Sequence, residues 1–454
     1  MADILLISLG CAKNQVNAEE MLHLLTAAGH RTVAEAQRAQ VAIVNTCGFI
    51  DAAKTEAIDH ILEVADHKGQ GSLERIIVTG CLSQRYADEI FNELPEVDGV
   101  LGTGSYHEIV DAVAQVLNGE QVMRFGDIDA PLEERERVIV DAPGWAYLKI
   151  AEGCDNDCAY CVIPSLRGRF RSRSMESLLR EARGLVAQGV GELILVAQDI
   201  TQYGKDLYEE RRLPALIRAL AEIPGLRWIR LHYLYPDGID QKLIRAIRDT
   251  EQVVPYLDIP IQHISDTILT AMNRRTTGAE IRGLFQTLRA EIPALVLRTS
   301  LITGLPGEGE GELEELARFL EETKIERVGV FPYSPQAGTL AADMPNRPSL
   351  EEAVRRAELL MDLQAQILDR FNESRVGAEE IVLCAGFDLE IGRYHGRSYA
   401  ESPEIDGRIW LDTEDELRPG AFYHVRYTDL QDGEIIGHVL GPVSVEESRN
   451  DHSQ

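Results

Sequence analysis

The sequence predicts an α/β protein in three parts: an open parallel sheet at the N-terminus, a partial (β/α) barrel in the middle, and a small antiparallel, OB-like β-barrel at the end. Three observations carry this. Short apolar runs alternate with helix-period patterns as far as about Phe371, the mark of βαβ units. Beyond Gly377 the helical patterns stop, and brief β-rich runs follow one another with turns between them. A chain of 454 residues, 44% apolar, also exceeds what one hydrophobic core usually supports. The expected divisions are an N-terminal domain at 1–118, a linker at 119–144, the central barrel at 145–375, the terminal barrel at 376–445 and a polar tail at 446–454.

The N-terminal strands are DILLISLG (3–10), VAIVNTCG (41–48) and RIIVTGCL (75–82). After the first, Met21, Leu24, Leu25 and Ala28 keep the i, i+3, i+4, i+7 spacing of a buried helix stripe closed by Gly29. Cys11, Cys47 and Cys81 each lie at or just past a strand's C-terminal end, the edge where open α/β sheets gather functional loops. Their thiols are expected to converge, with Gly10, Gly48 and Gly80 leaving room for a bulky group; the plainer alternative is three buried small hydrophobes. Residues 119–144 then lose periodicity and mix charges with Pro131 and Pro143, hence the linker.

Six strands are expected in the centre: AYLKI (146–150), ELILVAQD (192–199), RWIRLHYL (227–234), YLDIPIQH (256–263), VLRTSLITG (296–304) and RVGVFPYS (327–334). Helical patterns lie near 176–188, 213–221, 239–248, 265–273, 280–290 and 312–323. Six βα units predict a parallel barrel, complete or partial, with its site on the strand C-terminal face. That face receives Gln198-Asp199, His232, Gln262-His263 and the run Gly304 to Glu308. Either histidine alone reads first as a hydrogen-bonded structural residue. Gly304 and Gly307 around Pro306 fit a close backbone approach to a bound nucleoside or amino acid, or else a tight strand-to-helix turn.

Ser349 and Glu352 form a capping box for a long closing helix, in which Leu350, Val354, Ala357, Met361, Leu368 and Phe371 predict one apolar stripe. After Gly377, EEIVLC, DLEIGR, GRSYAE, RIWLD, FYHVRYT and EIIGHVL supply about five strands of a small barrel. Cys384, in the first of them, is expected to be plain core.

Formal net charge is −30, from 45 Lys plus Arg against 75 Asp plus Glu. Such a field repels polyanions and attracts basic partners, so direct nucleic-acid binding is not expected. From Val376 onward six Arg and no Lys stand against seventeen Asp or Glu, a net −11, which sets this small barrel apart from the basic ones that bind nucleic acid. No signal peptide is visible before the short ILLISLG run, and no apolar stretch approaches bilayer length, so a soluble, cytoplasmic protein without a membrane partner is expected.

Immediately after the first central strand comes IAEGCDNDCAYCVIPSLRGRFRSRS (150–174), with Cys154, Cys158 and Cys161 separated by three and then two residues. Seven cysteines would produce that triplet by chance in roughly two chains per thousand. Structural zinc usually takes four ligands in paired CxxC arrangements, and no second pair lies at zinc-finger distance. Three thiolates on an iron-sulfur cubane instead leave one iron open to a small-molecule ligand, which suits one-electron chemistry.

The CxxxCxxC triplet after the first strand of a βα barrel resembles the radical S-adenosylmethionine superfamily. That resemblance implies an open iron chelating the methionyl amine and carboxylate, with Tyr160 near the adenine, Gln198 and Asp199 near the methionyl amine, and Gly304, Pro306 and Gly307 in a glycine-proline motif near the cofactor. Over the whole chain, a three-cysteine N-terminal domain, this barrel and a terminal TRAM barrel are similar to the methylthiotransferase family. There Cys11, Cys47 and Cys81 correspond to ligands of a second 4Fe-4S cluster. SLGCAKNQVNAEE, VNTCGFIDAAK, YLKIAEGCDNDCAYCVIPSLRGRFRSR and LHYLYPDGI look most like the RimO type, which modifies an aspartate of ribosomal protein S-twelve; Asn17 and Ala18 stand where Asp-Ser is usual.

The resemblance implies an electron from the triplet cluster, S-adenosylmethionine cleavage, hydrogen abstraction from the aspartate β-carbon, sulfur from the N-terminal side and a methyl group from another S-adenosylmethionine. It also implies an electron donor and a substrate met within the small ribosomal subunit. Two other readings stand beside it: a transfer-RNA methylthiotransferase of the same three domains, against which the acidic barrel argues, and a non-catalytic, metal-stabilised adaptor, against which the missing fourth ligand argues.

Overall fold

In the computed structural model residues 1–68, 73–139 and 143–444 are described; the expected tail at 446–454 and residues 140–142 of the expected linker lie outside them. The chain divides into two compact units, Met1–Val140 with Ala151–Arg173 and Ser334–Ala342, and Asp141–Ile150 with Ser174–Tyr333 and Asp343–Gln454.

The first unit is built on a wholly parallel six-stranded sheet in the order β2-β1-β3-β4-β5-β6. Its strands are β1 (Asp3–Ser8), β2 (Arg31–Thr32), β3 (Val41–Thr46), β4 (Arg75–Gly80), β5 (Gly99–Leu101) and β6 (Val122–Arg124). The three expected strands form its centre, and β6 comes from the stretch read as a linker. Side chains of β3 alternate between two cores, as a parallel sheet covered on both faces requires. Ala42 and Val44 pack with Ala57, Ile61 and Val64 of the helix Asp51–Ala65 on one face. Val41 and Ile43 pack with Met21 and Leu25 of the helix Ala12–Ala27 on the other. The expected stripe on that helix holds at Met21 and Leu25, but Leu24 is half-buried and Ala28 is exposed, because the helix has already ended at Ala27.

β7 (Trp145–Lys149) belongs to the second unit, yet the chain after it returns to the first, where β8 (Ala151–Glu152) pairs antiparallel with β9 (Arg171–Ser172).

In the second unit β7 is followed in sheet order by β10 (Glu192–Val196), β11 (Trp228–Leu231), β12 (Val253–Asp258), β13 (Val296–Thr303) and β14 (Arg327–Pro332), all parallel. This is the expected partial barrel. Its strands stop short of the predicted C-terminal limits because the polar residues there turn into loops; after β12, Gln262 takes φ +70° and pairs with Leu301 only by an isolated bridge.

The long helix runs from Leu350 to Arg375, with Ser349 Oγ capping Glu352 N at 3.2 Å. Its expected stripe is one position out of phase. Leu350, Val354 and Met361 are exposed, and the buried face is Ala353, Ala357, Leu360 and Ile367 together with Arg356, Gln364 and Arg375. Polar side chains can sit on that face because each finds a partner: Gln364 Nε2 donates to Ile325 O and Glu326 O at 3.0 Å, and Arg356 and Arg375 meet glutamates.

β15 (Glu379–Asp388), β16 (Arg393–Arg397), β17 (Ile409–Asp412), β18 (Phe422–Gln431) and β19 (Glu434–Pro442) close a barrel, antiparallel except where β17 meets β19. Cys384 is fully buried in its core, as expected. DLEIGR is a turn rather than a strand, since Asp388 Oδ1 accepts from Glu390 N and Ile391 N at 3.0 Å. Most of GRSYAE is likewise no strand. The loop Ser398 to Asp406 instead docks on the central sheet: Arg230 donates to Tyr399 O at 2.7 Å, Tyr147 to Glu404 at 2.9 Å and Tyr256 to Asp406 at 2.7 Å, while Ser402 bonds His232 at 2.9 Å. Among the described residues no helix is long and apolar enough to cross a membrane.

Candidate functional site

In the first unit, register decides where the N-terminal cysteines fall. Ser8 pairs with Asn45 and Thr46 with Gly80, so β1, β3 and β4 end together. Cys47 and Cys81 follow directly, and Cys11 caps the helix after β1. The backbone is drawn in tightly here: a Cβ on Gly10 would lie 2.7 Å from Cys47 Cβ, and one on Gly48 would lie 2.8 Å from Leu82 N. Gly80 has φ +101°, and a Cβ there would strike Thr46 O at 2.4 Å, so only glycine lets the chain turn into Cys81. Asn14 fixes the same edge, donating from Nδ2 to Leu9 O and Thr46 O at 2.9 Å. The structure thus brings Cys11, Cys47 and Cys81 together, graded from exposed through half-buried to buried. Burial pushes the Cys47 thiol up to about 11 and raises that of Cys81, the latter against the pull of Arg167.

The triplet segment belongs to this same unit. Cys154 N donates to Gly168 O at 3.1 Å, which pinches the loop closed, and all three cysteines are half-buried. Backbone N–H groups already point at sulfur: Asn156 N to Cys154 Sγ at 3.4 Å and Ile163 N to Cys161 Sγ at 3.5 Å. Val162 and Leu166 pack on Cys81, and Thr103 Oγ1 donates to Leu166 O at 2.5 Å. Tyr160 is half-buried, and its neighbour Ala159 accepts from Ala341 N at 2.9 Å.

Arg167, which sequence reasoning missed, ties the segment that carries the triplet to Cys81. Its Nε donates to Cys81 Sγ at 3.3 Å, Nη1 to Glu152 at 3.2 Å and Nη2 to Asn14 Oδ1 at 2.5 Å. In RGRFRSR nothing marks one arginine of the four as buried; the one signal is its place at the end of the short helix Ile163–Arg167, directly before Gly168.

In the second unit, Gln198 and Asp199 follow β10. Asp199 is buried, and its Oδ1 accepts from Thr201 N at 3.0 Å and Thr201 Oγ1 at 2.6 Å, capping the next turn. After β13, Gly304 (φ +76°) lies so near the long helix that a Cβ would stand 2.3 Å from that of Ala353. Pro306 and Gly307 continue this turn, and Glu308 at the end of the same run holds it by accepting from Gly304 N at 2.9 Å while Arg356 Nη1 donates to its other oxygen at 2.9 Å. His263 and His232 are buried and neutral, with burial pushing them down to about 4 and about 3.

The chain matches three family descriptions in order: "Uncharacterized protein family UPF0004" at residues 3–102, "Radical SAM superfamily" at 148–320 and "TRAM domain" at 376–440. It is 47% identical over 438 residues to "Ribosomal protein uS12 methylthiotransferase RimO" of Geotalea uraniireducens (strain Rf4), covering 96% of this chain and 98% of that one. Proteins of the same name from Thermoanaerobacter sp. (strain X514) and Clostridioides difficile (strain 630) are 43% and 41% identical, covering 96% and 97% of this chain and 100% and 99% of theirs. The chain belongs to the RimO family of methylthiotransferases.

The fold agrees with that of more distant radical enzymes. The "radical S-adenosylmethionine methyltransferase, TsrM" of Kitasatospora setae, with cobalamin and a [4Fe-4S] cluster bound, aligns at TM-score 0.55 and 14% identity, covering 73% of each chain. For this RimO-family member the donor chemistry can be tested on its own residues. Among the described residues no group of three or more His, Cys, Asp or Glu is close enough to hold a single metal ion. A cluster does not ask for that, because each thiolate takes a different iron. Three cysteines gathered on glycine-lined backbone, and three more of which Cys154 and Cys161 accept from backbone N–H groups, fit a soft multi-iron group better than a lone hard cation.

Proposed function

We propose that this chain is the radical S-adenosylmethionine enzyme that adds a methylthio group to the β-carbon of an aspartate in ribosomal protein uS12. One observation carries the reading: both cysteine sets lie in one compact unit, where Arg167 of the triplet segment bonds Cys81, in a chain like the RimO proteins along 96% of its length. Cys154, Cys158 and Cys161 would hold one 4Fe-4S cluster with an iron left for S-adenosylmethionine, and Cys11, Cys47 and Cys81 the second. When bound, these groups supply the electron that cleaves S-adenosylmethionine to a 5′-deoxyadenosyl radical, and the sulfur that replaces the abstracted hydrogen.

The protein's own residues orient and exclude. Asn156 N and Ile163 N support two of the triplet sulfurs. Tyr160, Gln198, Asp199 and the Gly304, Pro306 and Gly307 turn serve S-adenosylmethionine; Asp199 acts through the backbone it caps, and Glu308 keeps the turn's amides in place. The functional divisions are 1–118 for the second cluster, 145–375 for radical generation and 376–445 for the TRAM barrel. At net −11 from Val376 onward, the terminal part suits a basic ribosomal protein better than an RNA. The reaction belongs in the cytoplasm, on uS12 alone or within the small subunit, with a reduced electron carrier as donor.

The test is anaerobic reconstitution with iron, sulfide and reductant, followed by mass spectrometry of uS12 and of tRNA offered side by side. A methylthio mass gain on a uS12 aspartate is expected. Modification of tRNA with uS12 untouched would overturn the substrate, and absence of 5′-deoxyadenosine would overturn the radical reading.

A further inference from the structure

We infer that Arg167 is a positioning residue that sets the charge at the Cys11, Cys47 and Cys81 site and couples that site to the triplet segment. The inference rests on the reading that those three cysteines hold a cluster. Arg167 is 3% exposed, and its guanidinium grips three partners at once: Cys81 Sγ, Glu152 and Asn14. Asn14 in turn holds the ends of the first and third strands through Leu9 O and Thr46 O.

A buried guanidinium is a poor way to stabilise a core, because its desolvation offsets what its ion pair returns. It is a good way to bring a fixed positive charge and a directed N–H donor against a thiolate. Lysine would deliver a charge without the fork. Donors and positive charge beside a cluster's sulfurs stabilise its reduced, more negative state, so Arg167 should raise the reduction potential there. Glu152, 6% exposed and bonded to the same guanidinium, should oppose it.

Chain position adds the coupling. The helix Ile163–Arg167 begins two residues after Cys161, so movement of the triplet segment reaches the Cys81 sulfur through the Arg167 hydrogen bond, beside the packing of Val162 and Leu166.

The test uses the full chain with Cys154→Ala, Cys158→Ala and Cys161→Ala, which leaves only the N-terminal set. After anaerobic reconstitution, iron content, electron paramagnetic resonance and a potentiometric titration are read. Arg167→Gln is expected to lower the midpoint potential, Glu152→Gln to raise it, and Arg167→Lys to fall between Arg167→Gln and the parent. In the six-cysteine enzyme, Arg167→Gln should keep 5′-deoxyadenosine formation and lose methylthiolated product roughly 10-fold or more. A loaded parent whose potential moves in neither the Arg167→Gln nor the Glu152→Gln variant overturns the inference alone. A parent that takes up no iron overturns the cluster reading and this inference with it, and iron content separates the two failures. If Arg167→Gln loses its iron altogether, the direction of the Glu152→Gln shift decides.

Discussion

Glu401, in the loop after β16, lies with its Oε1 2.5 Å from Nη1 of Arg375, at the end of the long helix. Arg327, at the start of β14, donates to the same oxygen at 2.8 Å, and Ser398 Oγ donates to the other at 2.8 Å. Burial alone would raise this carboxyl, but Arg375 and Arg327 outweigh it and hold it at about 2.

A depressed carboxyl contributes stability above its unfolded pKa, about 4.3, and loses it as pH falls toward its folded value. Urea unfolding of the protein should therefore weaken steadily from about pH 4.3 down to about 2. Glu401→Gln should remove that pH dependence and take the carboxylate from buried Arg327, while Arg375 keeps its pair with Glu380 at 2.9 Å, costing about 3–5 kcal/mol at neutral pH. An unchanged unfolding midpoint in Glu401→Gln would count against the pair's role.

Gly80→Ala should damage the N-terminal cysteine site selectively. The positive φ alone costs roughly 1–3 kcal/mol in a residue with a Cβ, and the contact with Thr46 O displaces Cys81. Reconstituted iron should fall from two clusters toward one, with S-adenosylmethionine cleavage retained. Iron counting beside a 5′-deoxyadenosine assay checks both halves.

Gly304→Ala should push the turn after β13 away from the long helix, because its Cβ meets that of Ala353 at 2.3 Å. S-adenosylmethionine binding, measured by equilibrium dialysis on loaded enzyme, should weaken. Adding Ala353→Gly relieves the clash but not the φ strain, so partial recovery is expected; complete recovery would mean that strain is unimportant.

The two cysteine sets should divide their labour. Cys154→Ala should abolish S-adenosylmethionine cleavage, whereas Cys47→Ala should spare cleavage and stop sulfur insertion. Methylthiolated uS12 from Cys47→Ala, detected by mass spectrometry, would refute that division.

The strands were legible because parallel strands buried on both faces are near-continuous apolar runs, as VAIV (41–44) is before the polar Asn45 and Thr46. The cysteines were legible because strand-end placement and fixed spacing survive in one dimension. Helix phase was harder: on Leu350–Arg375 an apolar pattern pointed to the exposed Leu350, Val354 and Met361, since partners distant in sequence made Arg356, Gln364 and Arg375 the buried side. Arg167 escaped for a related reason. A charged residue is read as surface until its buried partners are known, and those of Arg167 lie 15, 86 and 153 residues away.

The docking of Ser398 to Asp406 bears on how this architecture can be divided. The TRAM barrel looks detachable in sequence, yet its loop satisfies Tyr147, Arg230, His232, Tyr256 and Arg327, side chains drawn from or just after four different strands of the central sheet. Cutting the chain after the long helix would leave these polar groups facing an empty interior, as a vault is left without its keystone. The two pieces are better regarded as one folding partnership than as a catalyst with an appended adaptor.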